Sequence, residues 1–222
     1  MPRQRSERVL TLLAVLYVGY VFVVTGAGRL GVGVPTPHDV GASVDAIEDG
    51  KVPRLLSSGL VVDGSLPLLQ VTVLAIVVAA VIAREGAVRW WPAAIAGHVG
   101  SALLAYLAIV IADGLGSGSA EQTSAQLDYG ISAVLAASVG ALLVSGIAGM
   151  QGRRARTATR ADRWITTACA LSLTIWIPLS IGWYAAEHLI AFALGCGAMA
   201  LIYRRSPTQT GRSAATRSLH DG

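Results

Sequence analysis

The sequence predicts an all-α polytopic membrane protein built from six transmembrane helices. Three observations lead there. Of the 222 residues, 54% are hydrophobic and only 14% are charged, too little polar surface for a water-soluble domain of this size. The apolar residues gather into six stretches, each close to the ~20 residues that cross a bilayer: 9–27, 66–83, 91–112, 130–147, 164–183 and 187–203. The basic residues fall on alternate connections. With the N-terminus inside, the inner segments hold fourteen arginines and the outer ones only Arg29, Lys51 and Arg54, so both termini are expected in the cytoplasm.

Taken in order, residues 1–8 form a basic N-terminus with Arg3, Arg5 and Arg8. The apolar run behind them has five more spans after it and is expected to stay as an anchor rather than be cleaved as a signal peptide. An outer loop, 28–65, is too long for a plain connector. Its stretch "VDAIEDGKVPRLLSSGLVV" carries a helical pattern of its own and either forms a small domain or lies against the membrane surface. Later connections are short or rich in Gly and Ser, as in "DGLGSGSAEQTSAQ". The membrane domain thus covers 9–203, and the polar tail 204–222 is expected to be disordered, its basic start anchoring the last helix at anionic lipid headgroups.

The net charge of +4 follows from topology and implies no nucleic-acid partner. One lysine against sixteen arginines, with abundant Ala, Val and Gly, suggests a GC-rich bacterial genome and hence a bacterial plasma membrane. No inverted internal repeat of the transporter kind is visible. Cys169 and Cys196 lie in separate spans and read as small packing residues. No metal-ligand spacing is present, and no cofactor is implied.

Polar groups inside the hydrocarbon are costly and point to function. Most acidic residues (Asp39, Asp45, Glu48, Asp49, Asp63, Asp113, Glu121, Asp128 and Glu187) are expected outside, so no span holds an internal charge for an ion-coupled transporter. Of four histidines, only His98 and His188 lie in spans. His98, seven residues beyond Trp91, is expected ~10 Å from the inner edge at 1.5 Å per residue, hydrogen-bonded within the bundle. Span four enters from outside near Asp128, which puts Ser132 ~5 Å below the outer edge. Span six also begins outside, so His188 shares that depth. A serine and a histidine at matched depth, near water and walled by apolar helices, suit nucleophilic catalysis, in which imidazole takes the hydroxyl proton as the oxygen attacks a carbonyl. A membrane-helix serine more commonly packs or bonds its own helix, and Ser101, Ser138, Ser145, Ser172 and Ser180 read that way. Asp128, four residues before Ser132, reads as the N-cap of span four rather than a third catalytic group.

At these positions the chain resembles the rhomboid family of intramembrane serine proteases. The family opens its fourth helix with Gly-x-Ser-Gly; here "GISA" supplies Gly130 and Ser132. Its sixth helix carries a histidine with small residues three and seven positions on; "EHLIAFALG" supplies His188, Ala191 and Gly195. Such small residues let two helices approach until hydroxyl and imidazole can bond, and Gly130 is expected to serve the same approach. "DGKVPRLLSSGLVVDGSLPLL" is similar to the family's first outer loop and second-helix entry, and "AAIAGHVGSALLAYL" to its glycine-rich third helix, so the resemblance covers roughly residues 45 to 203.

The chain departs from the family on the second helix, where the usual oxyanion-holding His and Asn are Leu68 and Thr72, and it contains no asparagine. One lost donor can cost ~10²- to 10³-fold in rate. Any oxyanion hole must then use backbone N–H groups such as that of Ser132, with the Thr72 hydroxyl as a further candidate; Gln70 is turned to another face. Ala133 replaces the glycine after the serine, and Ala136 the aromatic residue four beyond it. The resemblance implies a six-helix rhomboid-like bundle, Ser132 as nucleophile, His188 as base and then acid, and cleavage of a transmembrane protein substrate near its membrane helix. The alternative it leaves is an inactive relative that binds the transmembrane helices of client proteins.

Overall fold

The computed structural model describes residues 2–62, 66–151, 160–179 and 183–205, which are helical apart from their turns and one isolated bridge. The long helices are α1 (Pro2–Arg29), α5 (Pro67–Glu85), α6 (Ala87–Ile95), α7 (Ser101–Gly114), α9 (Ser132–Met150), α10 (Arg160–Leu179) and α11 (Trp183–Arg205). A π turn at Ala96–Gly100 joins α6 to α7 without a break, so the two act as one span. Short helices α2 (Pro37–Val40), α3 (Val44–Glu48) and α4 (Arg54–Ser57), with a 3₁₀ turn at Ser58–Leu60, form the segment after α1; α8 (Gly118–Ser124) follows α7.

Five of these helical runs are long and apolar enough to cross a membrane: α1, α5, the joined α6 and α7, α9 and α11. This is the architecture of a multi-pass membrane protein. The sixth expected span is the 20-residue α10, which is not among the five and opens with Arg160, Asp162 and Arg163. Large apolar side chains cover the outside of the bundle, among them Leu12, Val15 and Leu16 on α1 and Leu104, Leu107 and Ile111 on α7. Such a surface is tolerable where the solvent is lipid.

The helix at the centre is α9. Within its apolar window 67% is buried against other elements, compared with 22% for α1 and for α11. Its Val134, Ala141 and Leu142 join Val71, Leu74, Val78, Val81, Trp90 and Met199 in the main core. Serines punctuate this core with satisfied hydroxyls. Ser138 donates to the Val134 carbonyl at 2.7 Å and accepts from Trp90 Nε1 at 3.0 Å, as expected for a buried polar group that must keep its partners.

Spans two and three are joined more tightly than the apolar stretches suggested. A single residue, Gly86 at φ +86°, separates α5 from α6, a left-handed turn open to glycine without strain. The amides at the start of α6 are met by α1, whose Glu7 carboxylate accepts from Ala87 N–H and, at 3.4 Å, from Val88 N–H. Beside this turn, Glu85 accepts from Ser145 at 2.6 Å, Tyr203 at 2.7 Å and Arg89 at 3.1 Å, while Arg84 pairs with Asp162. These bonds tie five helices together at the end of the bundle away from Ser132.

At the Ser132 end, the segment after α1 folds onto the third span rather than spreading flat. Ala42, Val44 and Leu55 pack with Ala102, Ala105, Tyr106, Ile109 and Ala120 in a second core. The tail beyond Arg205, the arginines at 153, 154 and 156, and residues 63–65 lie outside the described residues; Arg204 and Arg205 belong to α11.

Candidate active site

Ser132 is the first residue of α9, and His188 lies in the second turn of α11. The serine Oγ and the histidine Nε2 are 2.8 Å apart, both side chains half-buried. The hydroxyl is therefore within normal hydrogen-bond reach of the imidazole.

Small residues set this distance. A Cβ on Gly195 would overlap the Ala137 carbonyl, and one on Gly140 would overlap the Phe192 carbonyl, so backbone meets backbone along the α9/α11 contact. Nearer the dyad, Ala133, Ala136 and Ala191 form a buried cluster against which Phe192 packs. Ala191 and Gly195 thus play the packing role expected of them. The third span closes in from the side, Gly97 lying against Ala137 and Gly100 against Leu194, with the π turn between α6 and α7 at that point.

Gly130 works differently from the expectation. A Cβ there would meet only the Val61 carbonyl, at 3.9 Å, so close helix approach does not require glycine. Its backbone has φ +113°, outside the range that side-chain-bearing residues adopt without strain. The glycine turns the chain into α9 and so aims Ser132.

The loop that delivers Ser132 is held by the segment after α1. Ala42 and Asp128 pair as a two-bond antiparallel bridge at 2.9 and 2.7 Å, and Gly130 N–H donates to the Ser58 carbonyl at 2.8 Å. Ser58 Oγ lies 3.3 Å from His98 Nε2, and the His98 ring packs against Gly59. The Gly59 carbonyl in turn accepts from Tyr17 at 3.0 Å. His98 is hydrogen-bonded within the bundle, as the sequence suggested. The helix begins at Ala87, eleven residues before His98, ~16 Å along the axis, and Ser58 reaches inward to meet it.

Thr72 is not brought to the dyad. It stands on the exposed side of α5, and its hydroxyl donates to the Leu68 carbonyl at 2.7 Å; the buried face of α5 is Val71, Leu74, Val78 and Val81. Leu68 and Gln70 are exposed as well. The donors left near Ser132 are backbone amides. Ile131 precedes α9 without a side-chain cap, so the first-turn N–H groups keep the open donor character of a helix N-terminus.

Two acidic residues beside the dyad have partners the sequence did not indicate. Asp128 is not the N-cap of α9, which begins four residues later. Its carboxylate accepts from Tyr106 at 3.1 Å and lies within hydrogen-bonding reach of the Glu187 carboxyl. Burial lifts the Asp128 carboxyl above the usual carboxylate range, against the opposing pull of its bonds to Tyr106 and Glu187. Glu187, expected outside, is 2% exposed and accepts from Ser101 at 3.2 Å. The spacing hid it: an acid at the nominal edge of an apolar run reads as a surface residue, and only its neighbour His188 marks it as central. Cys169 and Cys196 form no disulfide, Cys196 donating to the Gly140 carbonyl at 3.4 Å, and no group of three or more His, Cys, Asp or Glu able to hold a metal occurs among the described residues.

Compared with known proteins, the chain matches no family model, and no curated protein or solved structure shows significant similarity to it.

Proposed function

We propose that this protein is a rhomboid-like intramembrane serine protease, a six-span bundle with its dyad facing the outer side of a bacterial plasma membrane and both termini in the cytoplasm. The observation that carries the reading is the 2.8 Å contact between Ser132 Oγ and His188 Nε2. In this mechanism Ser132 attacks the scissile carbonyl of a substrate's transmembrane segment while its proton passes to His188. The imidazolium then protonates the leaving amine. Water, deprotonated by the same imidazole, releases the acyl group and restores the serine. The oxyanion is met by the Ser132 amide and the first turn of α9, where partial positive charge collects.

A second reading is a relative that binds transmembrane helices without cutting them. It is favoured by the loss of side-chain donors on α5, where Leu68 and Thr72 both lie exposed. Co-expression with a panel of epitope-tagged single-span membrane proteins separates the two. Protease activity gives shortened products that vanish with Ser132→Ala; the binding reading gives intact clients co-purifying equally with wild type and variant.

A further inference from the structure

Asp128 and Glu187 come from different parts of the site and meet beside the dyad. Asp128 lies four residues before Ser132, on the loop entering α9; Glu187 immediately precedes His188 on α11. Their carboxyl groups lie within hydrogen-bonding reach of one another. Each also has a hydroxyl partner on the third span, Tyr106 for Asp128 and Ser101 for Glu187. A hydrogen bond between two carboxyl oxygens needs a proton, because two carboxylates have only acceptors to offer. Two such groups held together, Glu187 buried and Asp128 half-buried, cannot both ionise without repulsion.

We propose that Asp128 and Glu187 share one proton and that this proton staples the Ser132 loop to the start of α11, making the pair a positioning device for the dyad. When a solvent base removes the proton, the bond is lost and two like charges face each other. The loop then moves away from α11, taking Ser132 from His188. This consequence for catalysis rests on the dyad reading above; the staple itself does not.

The surroundings leave the pair to its own proton. On the third span it faces Tyr106 and Ser101, whose single hydroxyl proton has the His98 carbonyl at 3.3 Å as the alternative acceptor to Glu187. On α11 its neighbour is His188, already engaged with Ser132. On the loop the next residue is Tyr129, and across the Ala42 pairing Arg54 donates to the Gly41 carbonyl at 3.3 Å. Burial acts in the same direction, since it raises the proton affinity of Asp128. By linkage, a carboxyl with raised affinity favours the closed loop at low pH and loses that contribution as pH rises through its folded-state value.

The test is amide hydrogen exchange on purified full-length protein in lipid, from about pH 6 to about pH 9. It reads the amides of Ala42, Asp128 and Gly130, whose bonds close the loop, against Ile47 in α3, each corrected for intrinsic exchange. Wild type should lose at least about tenfold of its protection at the three loop amides as pH rises one unit past the pair's apparent pKa, with Ile47 unchanged. Glu187→Gln and Asp128→Asn replace the proton by an amide donor and should hold protection across the range. Protection that stays level with pH in wild type, or that falls equally in Glu187→Gln, would overturn the staple. Fluorophosphonate labelling of the same samples separates the two ideas: a pH-dependent loop with no labelling at any pH supports the staple and counts against the dyad.

Discussion

Ser132 and His188, 56 residues apart in sequence, stand 2.8 Å apart across a contact where the backbones of α9 and α11 touch. Glycines make that contact possible, and they do so in two separate ways that mutation can tell apart.

Gly195 faces the Ala137 carbonyl, whereas Gly197, two residues on, has nothing within 4 Å of a built Cβ. Gly195→Ala should overpack the interface at a cost of about 1–3 kcal/mol and slow reaction of Ser132 with a serine-directed probe. Gly197→Ala should leave both thermal stability and probe reaction unchanged. Thermal unfolding in detergent, with labelling rates on the same preparations, compares them.

Gly130 acts through its backbone. Forcing an L side chain to φ +113° costs about 1–3 kcal/mol, or shifts the chain to avoid that cost. Gly130→Ala should therefore reduce labelling of Ser132 even in preparations whose helix content by circular dichroism matches wild type. Equal labelling would mean that the turn can be made without glycine.

Thr72 should be silent. Its hydroxyl is spent on its own helix and its side chain is exposed, so Thr72→Val should change stability by no more than about 0.5 kcal/mol and leave labelling at the wild-type rate. A drop would restore Thr72 as an oxyanion donor and require α5 to rotate during reaction.

The all-helical architecture and five of the six expected spans were legible because lipid imposes strong rules on sequence. Apolar runs near bilayer length marked the helices, and depth counting from their edges put Ser132 and His188 at one level. Small residues at 191 and 195 pointed to the close helix pair. What escaped notice depended on backbone detail or on residues at helix edges. A positive φ at Gly130 has no signature that separates it from a packing glycine. Gly86 shortened the second connection to one residue because Glu7, far away in sequence, meets the exposed amides of α6. Glu187 was hidden because charge at the end of an apolar run ordinarily means water, and here Ser101 and Asp128 take the place of water.

The most direct test of the central claim is covalent labelling with a fluorophosphonate in lipid, comparing wild type with Ser132→Ala and His188→Ala. The account predicts that wild type labels, that Ser132→Ala does not, and that His188→Ala labels at a small fraction of the wild-type rate, since an unassisted hydroxyl is a weak nucleophile. Wild type that stays unlabelled while an active rhomboid protease labels in parallel, or His188→Ala that labels as fast as wild type, would contradict it.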